Sequence, residues 1–161
     1  MARRMSKNVV ESGTGLLADE DWQPGLEGYP VELVCRIRRD LARRLPNLRE
    51  KFNRNSRYLG YGLVGGADRA YIYLQKKGLV IDLCLDPKLA KEIEALGFQV
   101  KSRENFQGRT GKWITGWRIP PDFEAETSVT NWLWRALTAS PGGTRERGND
   151  GPQGALRPRR A

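Results

Sequence analysis

Histidine is absent from this sequence, and the chemistries that depend on imidazole go with it. Ser-His and Cys-His activation of a nucleophile is excluded, as are the usual zinc ligand sets, although lysine- or carboxylate-based chemistry stays open. Cysteine is nearly absent too. Cys35 and Cys84 are the only two, with no CxxC spacing, and one disulfide would be a poor framework for a secreted scaffold, so both read as reduced, buried thiols. Long apolar runs are also missing. Gly15, Leu16 and Leu17 lead through Ala18 into Asp19, Glu20 and Asp21, which leaves no secretory signal, and nothing elsewhere approaches a membrane span. The expectation is a cytoplasmic protein with no membrane partner, no cofactor and no metal.

Positive charge, by contrast, is plentiful: 28 Lys and Arg against 19 Asp and Glu, a net +9 on 161 residues. Residues 1–29 carry a balance of −2, residues 30–137 of +8 and residues 138–161 of +3, so the excess lies in the part expected to fold. Arg36, Arg38, Arg39, Arg43, Arg44, Arg49, Lys51, Arg54 and Arg57 face only Asp40 and Glu50 within the same stretch. Such density points to a polyanion partner, nucleic acid above all; the alternatives are a solvated helix face or an arginine-rich composition.

The length suits one domain with tails. Residues 1–29, with scattered Gly, Pro and charge, read as a disordered N-terminal tail, and residues 140–161, rich in Gly, Pro and Arg with almost nothing to bury, as a disordered basic C-terminal tail. Between them the spacing of Val31, Val34, Ile37, Leu41 and Leu45 predicts an amphipathic helix ended by Pro46, and Leu48 and Phe52 suggest a short second one. Residues 58–64, 70–75 and 79–85 read as three strands of an antiparallel meander. Asp86 and Pro87 open a helix closed by Gly97, Phe98–Lys101 and Lys112–Ile119 read as two more strands, and Val129, Trp132, Leu133, Ala136 and Leu137 mark a final helix. The fold class is α+β: a mainly antiparallel sheet of about five strands with helices packed on one face, spanning residues 30–139.

GKWITGWRIP, residues 111–120, sets Trp113 and Trp117 four apart. β-Branched neighbours, Gly116 and the following prolines place them on a strand, where that spacing gives both the same side. Facing the helices they are core; facing outward they form an aromatic floor suited to stacked bases. Tyr71 and Tyr73 pose the same choice, because Ala70, Ile72 and Leu74 form the apolar face. RYLGYGLV, residues 57–64, echoes an RNA-recognition signature, but Leu59 and Leu63 replace its basic and aromatic positions. GRTGK, residues 108–112, lacks the first glycine and the Ser/Thr of a nucleotide-triphosphate loop; Arg103, Arg109 and Lys112 could still gather a looser anion site, the alternative being a flexible charged hairpin. Asp68 followed by Asp86-Pro87-Lys88 imitates a metal-nuclease pattern, with Asp82 the other candidate acid, although Asp86 already has a role as helix cap.

From about Tyr71 to Leu137 the chain resembles a bacterial domain family of unknown function, sometimes labelled predicted transport protein and often associated with restriction-like proteins. YIYLQKKGLVIDLCLD, GKWITGWRIP and the final helix carry the resemblance. It implies a DNA-associated or defence setting and supplies no catalytic residue. The transport label has no support, because a carrier needs membrane spans. The expected function is a noncatalytic accessory domain that binds nucleic acid weakly through phosphate, with Trp113 and Trp117 as stacking groups. A protein-interaction or homodimerisation module is the alternative, and a divalent-metal nuclease the third.

Overall fold

The computed structural model of the chain describes residues 3–5, 8–105 and 107–139. Eight strands form one antiparallel sheet: β1 (Arg3–Met5), β2 (Val9–Ser12), β3 (Leu48–Asn53), β4 (Tyr58–Leu63), β5 (Asp68–Gln75), β6 (Gly78–Leu83), β7 (Lys101–Glu104) and β8 (Lys112–Ile119). Their spatial order is β1-β2-β3-β4-β5-β6-β8-β7, so the chain meanders from one edge and ends in a hairpin whose second strand lies inside its first. The helices are α1 (Asp19–Trp22), α2 (Val31–Arg44), α3 (Ala90–Glu94) and α4 (Glu126–Thr138), with a 3-10 turn at Pro87–Leu89. The fold is therefore α+β, with three more strands than the apolar runs indicated.

One face of the sheet is the core. Leu48 and Phe52 of β3, Leu59 and Tyr61 of β4, Ala70, Ile72 and Leu74 of β5, and Leu79, Ile81 and Leu83 of β6 are buried there at alternate positions. The long helices cover it. α2 brings Leu33, Val34, Ile37 and Leu41, and α4 brings Val129, Leu133, Ala136 and Leu137. The last turn of α4 is tied to the sheet by Arg69, which donates to the Ala136 carbonyl at 2.7 Å, a favourable place for a cation at a helix C-terminus.

Three expectations change. Residues 48–53 form β3 rather than a second helix; the alternation of buried Leu48, Glu50 and Phe52 was hidden by a carboxylate at a core position. The strand expected at Phe98–Lys101 begins at Lys101 instead. Residues 8–29 are no tail: β2 pairs with β3, and Leu17, Trp22 and Leu26 are buried, Trp22 meeting Phe52 edge-on at 6.1 Å. The expected C-terminal tail, 140–161, lies outside the described residues.

What holds residues 8–29 is an ion pair inside the core. Arg38 is 3% exposed and Glu50 1%. The guanidinium grips the carboxylate with two hydrogen bonds, Nε to Oε2 at 2.8 Å and Nη2 to Oε1 at 2.7 Å. Glu50 also accepts from the Tyr61 hydroxyl and from the Leu17 backbone N–H at 2.8 Å, and Arg38 donates to the Leu17 carbonyl at 2.9 Å while lying 4.7 Å over the Trp22 ring. Burial opposes the Arg38 charge, but Glu50 outweighs it and raises the guanidinium above its ordinary range. Two bare ions would be costly here; the additional donors and acceptors make the pair tolerable.

Arg38→Met should therefore cost roughly 3 to 5 kcal/mol, because it strands a buried carboxylate, whereas Arg38→Met with Glu50→Leu should recover much of the loss. Urea unfolding of both variants checks this; equal losses in the two would contradict it.

Candidate functional site

The nine cations between residues 36 and 57 do not make one patch. The 3.6-residue helical period turns Arg38 into the core and leaves Arg36, Arg39, Arg43 and Arg44 outside on α2. Of these, Arg36 meets Glu126 at 3.7 Å, Arg43 meets Asp40 at 2.7 Å, Arg44 donates to Asn131, and Arg39 returns to the Cys35 carbonyl. Strand alternation then sends Arg49 and Lys51 to the sheet face opposite the helices. Arg54 and Arg57 sit at the β3–β4 turn, Arg54 donating to the Pro24 carbonyl and lying over Phe52, Arg57 lying 5.3 Å over Tyr29. The expectation of a single convergent cluster is thus corrected by two different periodicities.

The opposite, open face of the sheet gathers other residues. Tyr58, Tyr71 and Tyr73 stand together, Tyr58 at 5.2 Å from Tyr71 and 5.3 Å from Tyr73, and Trp113 stacks on Tyr71 at 5.8 Å and 23°. Trp113 reaches this face because β8 carries a bulge. Ile81 pairs with Trp117 and Leu83 with Ile114, so two steps on β6 match three on β8. Gly116 takes φ +78 there. The expected shared side for the two tryptophans is therefore corrected. Trp117 enters the core against Phe98 and Trp132, and Trp113 leaves it.

Arg109, from the β7–β8 loop, closes over these rings. Its guanidinium lies 4.3 Å over Tyr71 and 4.9 Å over Trp113, donates to Asp82 Oδ2 at 2.8 Å and to the Tyr73 hydroxyl, and so leaves Trp113 only 2% exposed. Asp82 uses its other oxygen to accept from the bulged Gly116 N–H at 3.0 Å. Burial works against the Arg109 charge, but Asp82 and the adjoining phenols outweigh it and raise the guanidinium above its ordinary range. Arg103, Arg109 and Lys112 consequently do not share an anion site. Arg109 turns inward, while Arg103 and Lys112 line a cleft of about 310 Å³ with Lys88, Asp86 and Glu104.

On the same face Asp68 holds Arg49 at 2.6 Å and Lys51 at 2.6 Å, and accepts from the Tyr71 hydroxyl at 3.3 Å. Burial would raise its carboxyl, but Lys51 and Arg49 hold it below the usual range. The two glycines of RYLGYGLV make this possible. A Cβ at Gly62 would stand 2.6 Å from Arg49 Nη2, and one at Gly60 would stand 3.1 Å from Lys51 Cε and Tyr71 Cε1. Their role is to let two long cationic side chains lie flat across the strand. The three acids of the nuclease pattern are engaged separately: Asp68 with Arg49 and Lys51, Asp82 with Arg109 and Gly116, and Asp86 with the Lys88 N–H that it caps at 3.0 Å. Among the described residues no group of three or more Cys, Asp or Glu is placed to hold a metal ion.

Tyr58, Arg118 and Lys101 belong to the open face and were not among the residues expected to bind; Arg118, expected on the side away from both tryptophans, shares the face of Trp113 because of the bulge. The alternation of Tyr58 with Leu59 on an otherwise apolar strand was the available signal for the first. Arg118 bonds Gln75 at 3.1 Å, and Lys101 opposes Thr115. Comparison of the chain with family models, with curated proteins and with solved structures finds no match. No helix among the described residues is long and apolar enough to cross a membrane.

Burial raises the phenols of Tyr61, Tyr71 and Tyr73 above their ordinary range. Their contribution to stability is complete below ~10, the free phenol value. Above it the unfolded chain loses protons that the folded chain keeps, so stability falls as pH rises toward the folded values. Ultraviolet titration should show these three of the five tyrosines ionising late in the native protein, and all five titrating near ~10 in denaturant. Coincident native and denatured curves would rule the arrangement out.

Proposed function

We propose that this protein binds single-stranded nucleic acid without chemically altering it, and that the open sheet face is the binding surface. The observation that carries the reading is the gathering of four aromatic rings on the side of the sheet away from the helices, among cations. Register places Arg49, Lys51, Lys101, Arg103 and Arg118 on that face, joined by Arg109 from the loop, against Glu11, Asp68 and Asp82. Tyr58 and Tyr73 are half-buried, each offering part of a ring to solvent; base stacking on such rings is tolerant of sequence, and the cations neutralise phosphate. Trp117, locked in the core, takes no part. Trp113 supports Tyr71 and Arg109 from beneath. By analogy, the resemblance over residues 71–137 to a family associated with restriction-like proteins agrees with a DNA-associated or defence setting.

Fluorescence anisotropy with labelled single-stranded and duplex oligonucleotides tests this. Tyr58→Ala and Tyr73→Ala should each weaken single-strand binding by about 1 to 3 kcal/mol. Arg39→Glu with Arg43→Glu, on the far side of the molecule, should change it little. The reverse pattern would move the binding surface to α2. Affinity should also fall steeply with salt.

A self-association reading has one specific observation in its favour. Leu96 and Trp134 are 54% and 40% exposed and line a groove of about 820 Å³ between α3 and α4. If they join two copies, light scattering should show a dimer that Trp134→Glu converts to monomer; a monomer at high concentration removes this reading.

A further inference from the structure

The hairpin at the sheet edge is uneven. β8 runs for eight residues and β7 for four, with Lys101–Glu104 paired to Thr115–Lys112. Before Lys101 the chain turns away, and Gly116 to Ile119 of β8 have no strand paired on that side among the described residues. The gap is a cleft of about 780 Å³, a size ordinary for small-ligand sites.

Its lining is chemically divided. Phe98 and Val100 supply an apolar wall, with Phe98 fixed edge-on against Trp117 at 5.6 Å and Phe123 at 5.9 Å. Lys101, Arg103 and Arg118 supply three cations from two strands. Asp82 and Glu94 are the acids, and the charge of Asp82 is already opposed by Arg109 at 2.8 Å. Lys101 and Arg118 alone outnumber Glu94, so the balance left to a ligand is positive without counting Arg103. At the base, Gly116 faces open space, since a Cβ there would meet nothing within 4 Å. A ligand that satisfies both halves carries a flat apolar ring and a compact anion on one small frame.

The cleft also continues the open face. Asp82 pairs in register with Tyr71, and Arg118 reaches back across β6 to Gln75 of β5. Building on the single-strand reading above, we infer that this cleft receives a nucleotide bearing a terminal phosphomonoester, with its base against Phe98 and Val100 and its phosphate among Lys101, Arg103 and Arg118. The doubly charged end of a strand meets more cations here than an internal phosphodiester needs.

Two measurements on the full chain test this. In the first, amide NMR spectra are recorded with uridine 5′-monophosphate and with uridine. The monophosphate should shift Val100, Lys101 and Gly116 and bind about tenfold more tightly than the nucleoside. Lys101→Met with Arg118→Met, both exposed positions, should abolish that difference while leaving the melting temperature near that of the parent. In the second, anisotropy compares oligouridylates ending in phosphate or hydroxyl at either terminus. A phosphate at one terminus should tighten binding, and the double variant should remove that gain. Tyr58→Ala should weaken phosphate- and hydroxyl-ended strands by the same factor. Equal binding of both ends, with Tyr58→Ala still harmful, overturns the cleft and spares the open face. Monophosphate binding without any oligonucleotide binding upholds the cleft and overturns the face. Equal affinity for uridine and its monophosphate overturns the cleft outright.

Discussion

The bidentate pair between Arg38 and Glu50 is the constraint around which the molecule is arranged. It joins α2 to β3, and through the Leu17 amide and carbonyl it brings the N-terminal segment to the same point. Ser12 adds to the junction, accepting from the Glu50 N–H at 2.9 Å and donating to the Gly15 carbonyl at 2.6 Å. A purely apolar core would bury as much surface and leave the lateral position of α2 on the sheet less defined. The two ions impose a register, since the carboxylate has one place where all its donors are met.

The same strand that carries Glu50 inward carries Arg49 and Lys51 outward, so β3 takes part in both faces at once. Inside, its charge is cancelled by a helix; outside, its cations are held by Asp68 over two glycines of β4. The aromatic face is organised in the same manner. Arg109 is placed by Asp82, and Asp82 by the bulged backbone of Gly116. Arg49, Lys51 and Arg109 are thus each oriented by a carboxylate that also lowers the repulsion among cations, and the face remains basic without being a bare cluster of like charge.

Much of the fold was legible because its signals were periodic. α2, the three meander strands and β8 follow from apolar spacing and turn residues. The N-terminal elements were hidden by their shortness: β2 and α1 have four residues each, and their ordering comes from Glu50 and Phe52 far along the chain. β3 was hidden because Glu50 breaks its apolar alternation, and no local rule reveals that a helix arginine will meet it. At the site, Tyr71 and Tyr73 were visible as the off-core side of β5. The arginine cluster was misleading, since adjacency in sequence says nothing about which face a helix and a strand will each choose.

The bulge in β8 carries a consequence for how this segment can vary in length. Trp113 and Trp117 stand four positions apart, and an unbroken strand would put both indoles in one compartment; a single supernumerary backbone unit assigns them to two. Removing one residue between Ile114 and Trp117 would restore unbroken pairing with every side chain on its present face, whereas straightening the strand at its present length would carry Trp113 into the interior and Ile114 out of it. What the fold fixes here is the compartment each side chain enters, and the strand could reach the same assignment with one residue fewer.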